Sequence, residues 1–474
     1  MIHGKSFFEK ACSSFQGSGF AFFCFVLTLL VWITGCNELR QEDFYAEPVL
    51  PTRNIDCVGL PEPFDRNAFY IRELHVSPQG SDDTGDGSKE APFATLRRAS
   101  REAAPGTRIH LAKGRYAPAG SLAGLTGEPG LPIAIVGHKD AVIDGSLAEG
   151  IIPGIHLSRP SHVVLKDLNI INAYPHGVSI DDGGDLDSPA GPVILQGLRI
   201  ADIGQGGNND CLKLSGVKDF QVLDSEFSGC NTGEAIDMVG CHEGLISGNT
   251  FRDMPGSGVQ TKGGSSHVII HANRFINIAM RSVNMGGHTG TPYFRPPDAG
   301  AEALHIQVLN NIFFRSGDTA IAFVGCIDCL AAHNTIIDPQ GHAVRLLEEN
   351  PELAIGRGSR FINNLVSFRS SELKGYIDAG RRVRADTFAL GWNLWHARNR
   401  ENFPGPVHGH SIPPEQYSIS VVDPLFIDPA SGDYRLQPDS PAIGRGLDLP
   451  EITLPDYHGR AMASPPAIGA MALP

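Results

Sequence analysis

Lys262 lies in the stretch SGVQTKGG, residues 257–264, between an apolar-patterned segment and two glycines. A lysine can remove the weakly acidic C5 proton of a uronic acid if nearby cations or burial lower its pKa. Such a β-elimination also needs a group that neutralises the substrate carboxylate and one that protonates the leaving oxygen. Lys213, Arg281 and Arg295 are the candidate cations. Lys262 is therefore the candidate base, provided that the fold gathers these groups on one surface.

Three carboxylates, Asp210, Glu234 and Asp237, form a second candidate group. Carboxylate oxygens are the ligands that Ca²⁺ prefers, and a bound Ca²⁺ would hold the carboxylate of a substrate. The same three residues also fit ordinary salt bridges to Lys213 and Arg281. Ca²⁺ is therefore the candidate cofactor, with both interpretations open.

The elements that would position these residues are repeats between about residues 160 and 350. The repeated segments are GVSIDD (177–182), CLKLSG (211–216), AIDMVG (235–240), GVQTKG (258–263), SVNMGG (282–287), AIAFVG (320–325) and AVRLLE (343–348). From Cys211 onward their starts lie 23 or 24 residues apart, except for one spacing of 38. Their second and fourth residues are mostly apolar, which is the period-2 alternation of strands with one buried face.

A second series places an asparagine two residues before an apolar residue in the same period. Its members are Asn249, Asn273, Asn311, Asn334 and Asn364. Two or three short strands in each two dozen residues predict an all-β fold, a parallel β-helix. The asparagines then predict a ladder of side-chain amides that bond to the coils above and below.

Stacking these coils about 4.8 Å apart predicts one outward row from the third residue of each segment. The row is Ser179, Lys213, Asp237, Gln260, Asn284, Ala322 and Arg345. Its polar groups concentrate in the middle coils, which predicts a binding cleft there, with Lys213, Gln260 and Asn284 as substrate-binding residues. The long spacing contains the insertion GHTGTPYFRPPDAGAEA, whose His288 and Arg295 are further substrate-binding candidates beside two aromatic residues. This insertion also fits a surface loop held by its own aromatic side chains.

Two end segments carry a family resemblance. YIRELHVSPQGSDDTGDGSKEAPFATLRRASREAAPGTRIHLAKGRY (70–116) resembles the opening module of secreted right-handed parallel β-helix proteins of the pectate lyase-like superfamily, and VVDPLFIDPASGDYRLQPDSPAIGRG (421–446) resembles their closing module. The resemblance implies a right-handed solenoid with a C-terminal closing segment. The helical spacing of Phe93, Leu96 and Ala99 predicts an N-terminal capping helix.

The stretch VQTKGGSSHVIIHANRF (259–275) resembles the lysine-containing coil of chondroitinase B and alginate lyase-type polysaccharide lyases. In that family a lysine on one coil is the base and an arginine on the next coil is the acid, which implies Lys262 as base. The equivalent position one coil later is Gly286, and Arg281 on that coil lies five positions earlier. Arg281 is the candidate acid, with Arg295 or His288 as substitutes.

Three other functions fit the same fold. A glycoside hydrolase would use two carboxylates, for which Asp181, Asp182, Asp210 and Asp237 are available. A C5-epimerase shares the proton abstraction of a lyase. A lipid-anchored glycan-binding β-helix without catalysis would explain why no arginine occupies the equivalent position. A uronic-acid polysaccharide lyase is the first choice among these.

The first residues predict targeting rather than fold. Lys5 and Lys10 precede the apolar run 19–36, which ends in Ile-Thr-Gly-Cys and resembles a bacterial lipobox with lipidation at Cys36. We expect a lipoprotein signal at 1–35, a lipid-anchored tether at 36–68, an N-terminal cap and first coils at 69–155, the β-helix core at 156–400 and closing coils at 401–474.

These features predict an extracytoplasmic monomer on the outer membrane of a Gram-negative bacterium, with an acidic polysaccharide as its partner. The formal charge of −14 argues against nucleic-acid binding, which needs an excess of basic residues. The spacing Cys326-Ile327-Asp328-Cys329 predicts a turn disulfide or two buried thiols.

Overall fold

The computed structural model describes residues 61–204, 207, 209–408, 411–452 and 454–471. The predicted signal peptide, Cys36 and most of the tether lie outside the described residues. Within the described part of the chain, no helix has both the length and the apolar character needed to cross a membrane.

Three parallel sheets run along the chain, and each complete coil contributes one short strand to each of them. Sheet A contains, in order, β1 (Arg72–Val76), β2 (Thr107–Leu111), β5 (Ile133–Gly137), β8 (Val163–Lys166), β11 (Val193–Gln196), β14 (Lys218–Leu223), β17 (His242–Ser247), β20 (Ser265–His271), β24 (Gln307–Leu309), β28 (Leu330–Ala332), β31 (Arg360–Ile362) and β34 (Ala389–Gly391), with the short strands β23 (Ala303–Leu304) and β27 (Cys326–Ile327) beside this path.

Sheet B follows sheet A within each coil. It contains β3 (Gly114–Tyr116), β6 (Ala141–Asp144), β9 (Asn169–Ile171), β12 (Arg199–Ala201), β15 (Glu226–Ser228), β18 (Thr250–Met254), β21 (Arg274–Ile278), β25 (Ile312–Ser316), β29 (Thr335–Ile337), β32 (Leu365–Phe368), β35 (Leu394–Ala397) and β36 (Ile419–Ser420).

Sheet C completes each coil and carries the candidate site. It contains β4 (Gly120–Ala123), β7 (Ile155–Ser158), β10 (Val178–Asp181), β13 (Leu212–Ser215), β16 (Ile236–Val239), β19 (Val259–Lys262), β22 (Arg281–Gly286), β26 (Thr319–Val324), β30 (His342–Leu347) and β33 (Gly375–Ala379). An antiparallel pair, β37 (Phe426–Asp428) and β38 (Asp433–Leu436), follows the coils. The all-β parallel solenoid predicted from the repeats is confirmed.

The described residues contain one α-helix, α1 (Leu96–Arg101), and three single-turn 3₁₀ helices at Gly145–Leu147, Thr291–Tyr293 and Ala385–Thr387. The hydroxyl of Thr95 accepts a hydrogen bond from the backbone N–H of Arg98 and so begins α1. The helix is shorter than its apolar spacing suggested, because Phe93 is not helical but bridges to Val76 of β1. That α1 caps the open end of the solenoid stays a prediction.

The interior is filled by columns of like residues from successive coils. Phe227, Phe251, Phe275 and Phe313 are fully buried and stack with ring centroids 4.7–5.2 Å apart. Parallel stacked rings of this kind bury a large apolar area without any single globular core.

The predicted asparagine ladder is confirmed, and it is longer than predicted. Each side-chain amide donates to the amide oxygen of the next coil over 2.9–3.3 Å, and that oxygen also accepts a backbone N–H of the preceding coil. The sixth member, Asn393, was missed, although it also precedes an apolar residue, Trp395, by two positions. All six side chains are buried, so the bonds replace the water that these amides would otherwise need.

The last residues run along the outside of the coils. Leu436 and Ile468 pack with Leu365 and Leu394 of sheet B, and Leu449 and Leu454 pack on the outer face of sheet A. The predicted closing role of this segment stays a prediction.

Two disulfides join Cys211 to Cys230 and Cys326 to Cys329, while Cys241 is a buried free thiol. The turn disulfide at 326–329 was one of the two predicted outcomes.

Candidate functional site

The residues of the predicted outward row are register partners on neighbouring strands of sheet C. Lys213 of β13 pairs with Asp237 of β16, Asp237 with Gln260 of β19, and Gln260 with Asn284 of β22. The apolar residues on either side of each row member are fully buried in the interior. Alternation along the strands therefore points all four polar side chains to the outer face, as the sequence predicted.

Asp237 lies at the centre of this face and is completely buried. Its Oδ1 is 3.2 Å from Lys262 Nζ and accepts a hydrogen bond of 3.3 Å from Gln260 Nε2, while Lys213 Nζ bonds its Oδ2. Burial alone would raise the pKa of Asp237, but the two lysines outweigh burial and the net shift is downward. Asp237 is therefore an ionised carboxylate held between two ammonium groups.

Asp210 and Glu234 adjoin this ion cluster. Oxygen atoms of Asp210, Glu234 and Asp237 all lie within 4.8 Å of one another. Burial, followed by the negative charges of Asp237 and Asp210, raises the pKa of Glu234 to about 8. The pKa of Asp210 is also raised, first by burial and then by the charge of Asp237. Burial and the two neighbouring carboxylates thus favour the protonated form of Glu234, and the ammonium group of Lys262 only partly opposes this shift.

The backbone after Lys262 turns sharply into sheet A. Gly263 and Gly264 have φ values of 66° and 88°, a left-handed conformation that glycine adopts without a Cβ penalty. Buried Glu302, at the end of the 287–303 insertion, accepts the N–H of Gly263 at 2.9 Å and the N–H of Thr289 at 2.7 Å. The insertion and the lysine turn are thus fixed to each other, and Glu302 positions both. Sequence reasoning missed Glu302, because no repeat register assigns a direction to side chains within an insertion.

Arg281 joins the face through two amides. Its Nη1 donates to Asn284 Oδ1 at 3.3 Å, and Asn284 Nδ2 donates to Gln260 Oε1 at 2.8 Å. Arg281 also forms ion pairs with Glu349 at 2.6 Å and Asp318 at 3.4 Å. The guanidinium is therefore connected to Asp237 and Lys262, although five positions separate Arg281 from the position equivalent to Lys262.

The other two cleft candidates lie on the insertion, and the backbone N–H of Arg295 donates to the carbonyl oxygen of Gly263, next to Lys262, at 3.0 Å. The guanidinium of Arg295 is largely buried and forms a salt bridge of 2.5 Å with Asp182, the residue after β10, so it fastens the insertion there. His288 is exposed and has no hydrogen bond or ion pair recorded among the described residues. A substrate-binding role for these two residues stays a prediction.

The carboxylate group fits a divalent cation. Asp210 Oδ2 and Glu234 Oε2 are buried and have no hydrogen-bond partner among the residues that the structure describes, although Lys213 and His176 lie 3.8 and 3.6 Å from the Asp210 atom. An all-carboxylate donor set with unsatisfied buried oxygens suits Ca²⁺. A proton on Glu234 is the other way to relieve the same excess of negative charge.

The comparisons with known proteins address the fold. Residues 153–291 match the family model described as "Right handed beta helix region". The match covers the middle coils of the solenoid and agrees with their parallel β-helix fold. No curated protein matches the sequence of this chain.

Solved structures with a similar fold have low sequence identity to this protein. Pectate lyase Pel9A has 14% identity over 86% of this chain and 98% of its own, with a TM-score of 0.47. The alginate lyase from Paenibacillus sp. str. FPU-7 has 16% identity over 69% of this chain and 98% of its own, with a TM-score of 0.43. The A-module of a mannuronan C-5 epimerase from Azotobacter vinelandii has 16% identity over 69% and 93%, with a TM-score of 0.44. Structural similarity at this level does not indicate which activity a protein has.

Proposed function

We propose that the outer face of sheet C is the active site of a lyase that cleaves a uronic-acid polysaccharide by β-elimination. The observation that carries the proposal is the pair of lysines, Lys213 and Lys262, that share the buried carboxylate of Asp237. Charged groups concentrated at one place on a solenoid favour a functional site over a solvated surface.

The two lysines have different roles in this proposal. Burial lowers the pKa of Lys213, but Asp237 and Asp210 outweigh burial and the net shift is upward. Lys213 therefore keeps its charge and neutralises the substrate carboxylate. Lys262, with 15% of its side chain exposed, is the group that accepts the C5 proton, because it lies at the end of β19 next to the insertion.

Arg281 is the proposed acid for the leaving oxygen. The amides of Asn284 and Gln260 lie between Arg281 and Asp237, and they supply donors and acceptors for sugar hydroxyls along the same row. Asp210, Glu234 and Asp237 would hold Ca²⁺. When bound there, Ca²⁺ supplies positive charge that acidifies the C5 proton through the substrate carboxylate.

A glycoside hydrolase is the second candidate, because the pKa values of two adjacent carboxyl groups are pushed apart. Glu234, with a pKa of about 8, would be the acid, and ionised Asp237 would be the second carboxylate. Their oxygens, within 4.8 Å, are nearer to the separation in retaining enzymes than to that in inverting enzymes.

The nature of the products tests the proposal. Full-length protein is incubated with alginate, pectate and glycosaminoglycans, and both ultraviolet absorbance and new reducing ends are followed. Unsaturated ends, detected by their ultraviolet absorbance, support the lyase. Reducing ends without absorbance support the hydrolase, altered uronic acid stereochemistry without cleavage supports a C5-epimerase, and binding without turnover supports a glycan-binding protein. The lipid anchor at Cys36, the outer-membrane location and the monomeric state remain proposals from the sequence.

A further inference from the structure

A serine, a histidine and an aspartate lie in line at the start of sheet C, away from the lysine cluster. Ser121 of β4 lies with its Oγ 2.8 Å from His156 Nδ1, and His156 Nε2 lies 2.7 Å from Asp181 Oδ2. Ser121 and His156 are direct register partners on β4 and β7, and Asp181 ends the next strand, β10. The strands thus place the three side chains on the same outer face.

The hydrogen bonds around Asp181 fix the direction of this chain of contacts. Asp181 Oδ1 accepts from Ser158 Oγ at 2.8 Å and from the N–H of Gly183 at 2.8 Å, which orients Oδ2 toward the histidine. The bond to His156, opposed by burial and reinforced by Ser158, lowers the pKa of Asp181 to about 2. Ionised Asp181 only accepts, so His156 Nε2 is the donor to it, and in the tautomer with the proton on Nε2 the Nδ1 atom is the acceptor that faces the Ser121 hydroxyl.

The serine–histidine contact between Ser247 and His271 has a different third partner. Ser247 Oγ lies 3.2 Å from His271 Nδ1, and His271 Nε2 lies 3.0 Å from the backbone carbonyl oxygen of Pro455. A neutral carbonyl orients an imidazole but stabilises an imidazolium less than a carboxylate does. Ser121 is also exposed, whereas His271 is buried beneath the C-terminal segment.

We propose that Ser121, His156 and Asp181 form a serine esterase site that removes small acyl groups from hydroxyl oxygens. A hydroxyl within hydrogen-bond reach of a histidine that is oriented by a carboxylate is the arrangement that activates a serine nucleophile. Ser121 is exposed, which suits an acyl group carried on a larger molecule.

The reaction uses water as its only co-reactant. Ser121 Oγ forms a bond to the ester carbonyl carbon as its proton passes to His156 Nδ1, and the alcohol leaves with that proton as the ester C–O bond breaks. Water then attacks the acyl-serine, gives a proton to His156, and releases the carboxylic acid as Ser121 regains its proton. Asp181 stabilises the imidazolium in both steps.

The position of this site suggests an acylated sugar as the substrate, an extension that rests on the proposed function. His156 pairs with Ser179, and Ser179 pairs with Lys213 on the next strand. Ser121 on β4 and Lys213 on β13 are three strand-to-strand steps of about 4.8 Å apart, so roughly 14 Å lies between them. A glycan lying across the coils would contact both sites, and O-acyl groups would be removed next to the place of cleavage.

A covalent probe tests the esterase without any polysaccharide, and so independently of the proposed lyase. Full-length protein is treated with a fluorophosphonate, and the labelled peptide is identified by mass spectrometry. Hydrolysis of p-nitrophenyl acetate is measured in parallel. We expect label on Ser121 and ester hydrolysis that falls at least 100-fold in Ser121→Ala and in His156→Ala, since the base of such a site contributes about 10²–10⁴-fold.

Ser247→Ala is the matched control, because it removes the serine of a similar pair that lacks the carboxylate. It should label and hydrolyse as the unmodified protein does. Asp181→Asn keeps the shape of the side chain and should retain folding while losing most hydrolysis. Absence of label from Ser121 in the folded protein, or equal hydrolysis by Ser121→Ala, would overturn the proposal.

Discussion

Lys262 and Lys213, on strands two apart in sheet C, bind opposite oxygens of Asp237, the residue on the strand between them. The carboxylate is fully buried, and both lysine side chains are at least four-fifths covered. A buried anion between two cations makes the three residues interdependent, because removal of any one leaves an uncompensated charge.

Asp237→Asn should destabilise the protein more than the same substitution at a surface position would. Two partly buried ammonium groups would lose their shared anion, and breaking a buried pair in this way costs about 3–5 kcal/mol. Urea unfolding measures the loss. Asp386→Asn, which removes an exposed partner of Arg384, is the control and should leave the free energy of unfolding unchanged. Equal behaviour of the two variants would show that the Asp237 cluster is not a buried ion network.

Glu234 should make stability fall with rising pH. Its pKa is about 8 in the folded protein against 4.5 ordinarily, so between these values the native state binds a proton that the unfolded state does not. The contribution of this group is complete below pH 4.5 and is lost as pH rises through about 8. Unfolding free energies measured from pH 4.5 to 9 should decline more steeply in the unmodified protein than in Glu234→Gln. Parallel curves would contradict the raised pKa.

Calcium should stabilise the protein through Asp210. A ligand that binds only the native state adds about 2.7 kcal/mol when its concentration is 100 times its Kd. Thermal unfolding after treatment with EDTA should therefore shift upward on addition of CaCl₂, and Asp210→Asn should abolish the shift. Asp298→Asn, on the exposed part of the insertion, should retain it. A shift that survives in Asp210→Asn would place the cation elsewhere.

The asparagine ladder should be a major source of stability. In Asn311→Ala, the backbone N–H of Asn273 loses its acceptor and the side-chain amide of Asn273 loses one of its two acceptors, at a buried position. Each unsatisfied buried group costs about 1–3 kcal/mol. Asn399→Ala, which removes an exposed acceptor of Ser370, is the control and should change stability much less. If both variants unfold at the same urea concentration, the ladder does not carry this energy.

The sequence predicted the fold and the outer row well, because one buried face and a period of two residues leave a single register for each strand. It predicted which residues share the face and offered Lys213 as a salt-bridge partner of the carboxylates, which the structure shows, but it did not predict that Lys262 also binds Asp237. Side-chain rotamers decide that both lysines bind Asp237 and that Arg281 contacts Asn284. A repeat pattern in the sequence does not contain this information. Ser121 and His156 were missed because β4 and β7 precede the aligned segments, which begin at residue 177.

Comparison of Lys262→Ala with Lys139→Ala on uronic-acid polysaccharides tests the central claim most directly. Lys139 is highly exposed and lies far along the chain from the cluster, so its removal should leave the rate of unsaturated-end formation unchanged. Removal of a general base costs about 10²–10⁴-fold, so Lys262→Ala should lose at least 100-fold in that rate while remaining folded. Full lyase activity in folded Lys262→Ala would contradict the assignment of this lysine as the base.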